Sequence, residues 1–228
     1  MINNRFLIRS KELIRRAIRL IDWENLRDRE YNFARRYIIG NSARILDVGA
    51  CESLLPLYLA KNGFKVTAFD FRKYLYSHSN LINIKGDFLN NSLPDNYYDY
   101  VVLISTIEHI GFGSYGAPIY EDGDFKTMSE VKRILKPDGK IVITFPFTDK
   151  HTIIQGFERW YDINRVKNLF EGLNILAEEY YIPTSKLLGR WGNFAPASLE
   201  QIKQVKERLG YPGCACYLVS LVPRNYFL

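Results

Sequence analysis

The stretch RILDVGACESLLPLYLA, Arg44 to Ala60, decides how the rest of the chain is read. An apolar run ends on Asp47, a turn follows at Gly49, and a helical pattern starts at Leu54 and runs to Lys61. Strand, tight turn and helix in that order are the layout of a nucleotide-binding loop, with the ligand beyond the carboxyl end of the strand. A phosphate-binding version would carry G-x-G-x-x-G, because a pyrophosphate must approach bare backbone at a helix N-terminus. Here only Gly49 is present, with Cys51 and Ser53 where further glycines would stand and Glu52 between them. A carboxylate at that place opposes a pyrophosphate and suits a cation.

Outward from this loop, short apolar runs alternate with helical patterns. Strands are expected at FKVTAFD, INIKGD, YDYVVLIS, KIVITFPF, LNILAEEYYI and CACYLVSLV. Helices are expected after Asp70, over Asp124–Lys136, over DINRVKNLFEG, and from Ser198, where Gln201 completes a capping box. Strands apolar throughout and separated by helices imply a parallel sheet covered on both faces. Residues 183–197 read as a long insertion near the last strands, one of which is expected to run antiparallel.

Strand ends supply the candidate ligand groups. Asp47 and Gly49 close the first strand, with Ala50, Cys51 and Glu52 in the turn. Asp70 and Phe71 close the second, near the offset at which an acid grips ribose hydroxyls. Asp87 and Phe88 follow the third, where an acid can accept from an adenine amino group, and Ser105 closes the fourth. Asp47 is read as an orienter of the loop. Beyond Ser105 come Glu108 and His109. His109 is the candidate general base, since imidazole titrates near neutrality; packing under the cofactor or capping the loop is its alternative role. Glu108 is a candidate to orient it or to bind substrate.

Taken together, LDVGACES, VTAFDF, IKGDF, DYVVLISTIEHIG and ILKPDGKIVITFPF resemble the successive motifs of a class I S-adenosylmethionine-dependent methyltransferase. The resemblance spans about residues 42–147. It implies a Rossmann-like, doubly wound α/β fold with a seven-stranded sheet, order 3-2-1-4-5-7-6, the last strand antiparallel. It also implies S-adenosyl-L-methionine as cofactor, lying across Gly49, Asp70 and Asp87. The run STIEHIGFGSYGAPI with ERWYD further on is similar to methyltransferases associated with glycan and cell-surface polysaccharide synthesis. Gly111–Gly123 and the segment around Trp160 and Tyr161 are the candidate acceptor pocket. The metal-binding relatives carry E-x-x-E-H; here Ser105 replaces the first acid, so no metal is expected. The [DN]-P-P-[YF] signature of amide methylation is absent. O-methylation of a small molecule or sugar is therefore the expected chemistry.

The 228 residues carry a net charge of +6, and ten basic and five acidic side chains fall in residues 1–39. Residues 1–40 are read as a basic helical segment and 41–228 as the methyltransferase domain. The arginines of that segment either face solvent on a helical cap or form a surface for nucleic acid or anionic lipid. An RNA-modifying methyltransferase, or a binding module that has lost catalysis, are the alternatives. No apolar run reaches the ~18–20 residues of a membrane span, and no signal-peptide core is present. The odd count of three cysteines argues against a disulfide framework. A cytoplasmic protein is expected.

Overall fold

A computed structural model of the chain describes residues 25–40, 42–187 and 190–221. Its elements in order are α1 (Leu26–Tyr37), β1 (Arg44–Val48), α2 (Leu55–Lys61), β2 (Lys65–Asp70), β3 (Leu81–Lys85), β4 (Tyr98–Ile104), α3 (Gly123–Ile134) and β5 (Leu135–Phe147). There follow β6 (Thr152–Ile154), β7 (Glu158–Trp160), α4 (Ile163–Leu169), β8 (Leu173–Leu187), β9 (Arg190–Ala197), α5 (Leu199–Leu209) and β10 (Gly213–Leu221).

Eight strands form one sheet in the order β3-β2-β1-β4-β5-β10-β8-β9. The first five pair in parallel; β10 runs antiparallel to both β5 and β8. With β8 and β10 as the sixth and seventh strands, the expected order is present and β9 is added at the far edge. The count of seven is thus corrected to eight. The supposed insertion holds the end of β8 and the whole of β9, with Pro183 paired to Phe194 and Pro196 to Tyr181. Proline and glycine give this stretch the look of a loop; Pro196 is accommodated on the edge strand β9, and Pro183 on β8 beyond its pairing with β10, because one side of the backbone there needs no donors. The short hairpin of β6 and β7 was also not expected from the sequence.

The helix expected after Asp70 does not form. Residues 71–80 cross to β3 without regular structure, and Tyr74 is buried with its hydroxyl donating to the Ser53 carbonyl at 2.9 Å. Leu75 and Tyr76 remain exposed, so no apolar stripe repeats at helical spacing to be buried.

Alternate residues of each strand serve opposite faces. Leu46, Val101 and Ile143 pack with Met128 and Val131 of α3, Val166 of α4 and Ile202 of α5. Ile45, Val102 and Val142 pack on the other face with Phe33 and Ala34 of α1 and Leu55 and Leu59 of α2. Helix α1 opens on a capping box between Asn25 and Asp28 and lies in this second core layer. The rest of the expected N-terminal helix, before residue 25, lies outside the described residues. Among the described residues no helix is long and apolar enough to cross a membrane.

Candidate functional site

A cavity of about 320 Å³ opens beyond the carboxyl ends of β1, β2 and β4. Gly49 sets its floor. Its φ of +81° is left-handed, and its N–H donates to the Phe69 carbonyl at 2.8 Å. A side chain there would stand 2.9 Å from Thr106 Cβ and closer still to the outer Thr106 atoms. One glycine is therefore required, by backbone angle and by space. Ser53 has φ −90°, so it needs no glycine.

Of the ten residues expected to bind cofactor, Asp47, Gly49, Glu52, Asp70, Phe71, Asp87, Phe88 and Ser105 line the cavity. Ala50 and Cys51 do not. Ala50 is fully buried beneath the turn, and the Cys51 thiol points to the Lys73 carbonyl at 3.6 Å. Asp70 is itself part of the turn: it accepts from Cys51 N at 2.9 Å and from Arg72 N at 2.7 Å. Asp87 caps the next short turn through Leu89 N at 3.1 Å and also accepts from the Tyr120 hydroxyl. Glu52 pairs with Arg72 at 2.8 Å, so its charge is shared with that arginine. The Arg72 guanidinium in turn covers the Tyr115 ring at 4.3 Å.

Asp47 is 2% exposed and one of its oxygens has no hydrogen-bond partner. Burial raises its pKa to about 8, against the nearby Arg27 charge and with help from Asp70. Six acids line the cavity (Asp47, Glu52, Asp70, Asp87, Glu108 and Glu158); burial favours the protonated form of Asp47 and Glu108, which leaves four carboxylates against two arginines, Arg27 and Arg72. Such a wall favours a cationic ligand. The residues present therefore fit a sulfonium-bearing cofactor.

His109 and Glu108 stand on the 3₁₀ turn after β4. His109 Nδ1 lies 3.0 Å from the Phe157 carbonyl, which can only accept, so Nδ1 carries the proton. In the neutral ring Nε2 is then the acceptor nitrogen. It lies 3.9 Å from Glu108 Oε1, and both residues line the cavity. Glu108 is buried with Oε2 unpartnered, and burial raises its pKa well above the ordinary range. Among the described residues no three His, Cys, Asp or Glu side chains are placed to hold a metal ion.

The strap from Gly111 to Gly123 is anchored from behind. Arg159 is buried, donates to the Ile110 carbonyl at 2.7 Å and lies over the Phe112 ring at 4.1 Å. Asp124 is fully buried between Arg159, 3.6 Å away, and Arg165, which donates two bonds of 2.9 Å. The ERWYD stretch thus builds the support of the pocket. Tyr161 lies in the core and Trp160 donates to Glu158 at 2.7 Å; neither ring lines the cavity, but Glu158 does.

Sequence reasoning missed Leu26 and Arg27 of α1, and Tyr211, all of which line the cavity. Arg27 donates to the Ile104 carbonyl at 3.2 Å across 77 residues, a contact with no local signal in the sequence.

A family model described as "Caenorhabditis protein of unknown function, DUF268" matches residues 44–185, more than half of the chain. The chain belongs to the DUF268 family. No curated protein matches this DUF268 chain. Among solved structures it is similar to a Burkholderia thailandensis 1,6-didemethyltoxoflavin-N1-methyltransferase with bound S-adenosylhomocysteine. That match has 11% identity over 86% of this chain and 78% of the other, with TM-score 0.60. A Leishmania major S-adenosylmethionine-dependent methyltransferase matches with 18% identity over 86% and 73% of the two chains, TM-score 0.59. The [4+2]-cyclase SpnF matches with 13% identity over 86% and 81%, TM-score 0.56. These likenesses establish the Rossmann-like α/β fold of S-adenosylmethionine-dependent methyltransferases. A cyclase among them shows that the fold leaves the reaction to be argued from the site.

Proposed function

We propose that the chain is an S-adenosylmethionine-dependent methyltransferase that methylates a hydroxyl oxygen of a small molecule or glycan. The observation that carries this reading is His109, held as its Nδ1–H tautomer, in the same carboxylate-lined cavity as the Gly49 turn and Asp70. When bound, the cofactor supplies an activated methyl group on a cationic sulfur. Asp70 and Asp87 are the residues that would hold its ribose and adenine ends, and the Gly49 backbone its methionine part. His109 Nε2 takes the proton of the acceptor hydroxyl, and Glu108, beside it, donates to or accepts from the same acceptor. The strap after β4 and Tyr115 close the acceptor side.

Three of the four arginines of α1 support a small acceptor over RNA. Arg27 faces Glu30 at 3.3 Å, Arg36 pairs with Glu179 at 2.5 Å, and Arg29 donates to the Phe194 carbonyl at 2.7 Å. Arginines engaged in this way offer phosphates less of their charge.

Calorimetric titration with S-adenosylmethionine tests the cofactor; no heat of binding at millimolar concentration overturns the proposal. Incubation with methyl-labelled cofactor and either small hydroxylated acceptors and cell-envelope glycan, or total RNA, tests the acceptor. Label in RNA alone overturns the small-acceptor reading. His109→Gln is expected to keep cofactor binding and to lower transfer by about 10²–10⁴-fold.

A further inference from the structure

One buried acid beside the cavity has no part in the steps above. Glu30, on α1, is 1% exposed. Its Oε1 accepts from the Ser105 hydroxyl and, at 2.6 Å, from the Thr144 hydroxyl; Oε2 faces Arg27 Nη1 at 3.3 Å. Thr144 Oγ1 also accepts from Ser105 N at 2.9 Å. Glu30 and Thr144 thus hold Ser105 by both its hydroxyl and its backbone donor.

Ser105 needs holding. Its φ is +44°, the left-handed region that a residue with a Cβ avoids. Such a conformation persists where the surroundings over-determine it, and it gathers at functional sites. The next residue, Thr106, stands against Gly49 and accepts at its carbonyl from His109 N at 3.0 Å. The direction the chain takes at Ser105 therefore sets both the wall of the cofactor turn and the place of Glu108 and His109.

We propose that Glu30 is a positioning residue of the transfer site, holding Ser105 in the left-handed turn that carries Glu108 and His109 to the cavity. The catalytic consequence rests on the methyltransferase reading; the placement of His109 does not. It also makes α1 a working part of the site.

The test reads the His109 ring by ¹⁵N NMR, in a chain with three histidines, His78 serving as internal control. The wild-type protein is expected to show His109 as the Nδ1–H tautomer. Glu30→Met removes both acceptor oxygens, and His109 is expected to lose that single signature while His78 keeps its own. Glu30→Gln retains an oxygen for the two hydroxyls and is expected to keep it. The deciding variant is Glu30→Met with Ser105→Gly. Glycine takes the left-handed turn unaided and is expected to restore the His109 signature; a Glu30 that merely filled space would not be rescued from position 105. Should Glu30→Met not fold, Ser105→Ala asks the same question, keeping the Cβ and losing the tie. An unchanged His109 signature in folded Glu30→Met or in Ser105→Ala overturns the proposal, as does failure of the glycine rescue. Transfer by Glu30→Met is expected to fall about 100-fold through misplacement of the base. If the wild-type protein binds no S-adenosylmethionine, the methyltransferase reading fails while the His109 measurement still decides the role of Glu30.

Discussion

Replacing Gly49 with alanine tests the turn on which the cofactor site is built. Two costs add. The first is the backbone angle: at φ +81° an L side chain costs about 1–2 kcal/mol. The second is space: the new Cβ meets Thr106, whose own Cβ would be 2.9 Å away. Thr106 is not free to retreat, because its hydroxyl donates to the Ile104 carbonyl at 3.0 Å. Overpacking of this kind costs about 1–3 kcal/mol, so the sum is roughly 2–5 kcal/mol. Gly63→Ala separates the two parts. Gly63 has φ +91° and nothing within 4 Å of the added atom, so it reports the angle alone. Adding Thr106→Ala to Gly49→Ala removes the outer atoms that clash and is expected to return about 1 kcal/mol or more as a coupling energy. Urea unfolding of the set gives the energies, with unchanged slopes required for the comparison. Titration with S-adenosylmethionine is expected to show weaker binding for Gly49→Ala and normal binding for Gly63→Ala. If Gly49→Ala costs no more than Gly63→Ala, Thr106 does not crowd the turn and the reasoning is wrong.

Three further expectations follow from the same contacts. Asp47 keeps a proton in the folded chain up to about pH 8, while an unfolded aspartate releases it near pH 4, so stability falls as pH rises through that window; Asp47→Asn is expected to flatten the slope, as read from urea midpoints at several pH values, and an unaltered slope counts against a buried proton there. Asp124→Ala leaves Arg159 buried without its partner and is expected to cost about 3–5 kcal/mol by the same assay; a loss under 1 kcal/mol means the strap is not held through this acid. Asp70→Ala is expected to weaken S-adenosylmethionine binding about 10-fold or more, since a charge-assisted bond is worth about 1.5–3 kcal/mol and the Cys51 N–H loses its acceptor as well; unaltered affinity removes Asp70 from the site.

The alternation of apolar runs and helical patterns was enough to determine the layered sheet, because strand and helix periods are local properties of the chain. Strand ends are local too, so Asp47, Gly49, Asp70, Asp87 and Ser105 were readable as groups at the mouth of the sheet. Local reading failed where a segment had no period of its own. Residues 71–80 carry four aromatic or leucine side chains yet bury only Tyr74 fully. Residues 190–197 form a strand only because β8 offers an edge to pair with.

The partners of the site residues were decided by tertiary structure alone. Ser105 looked like a cofactor ligand and spends its hydroxyl on Glu30, 75 residues earlier. His109 owes its tautomer to a carbonyl 48 residues later. Asp87 meets Tyr120, Glu52 meets Arg72, and Arg159 anchors the strap at the Ile110 carbonyl. A side chain's type limits which hydrogen bonds and ion pairs it can make. Which of them it makes depends on the groups that folding brings within about 3 Å, and that distance has no counterpart in sequence spacing.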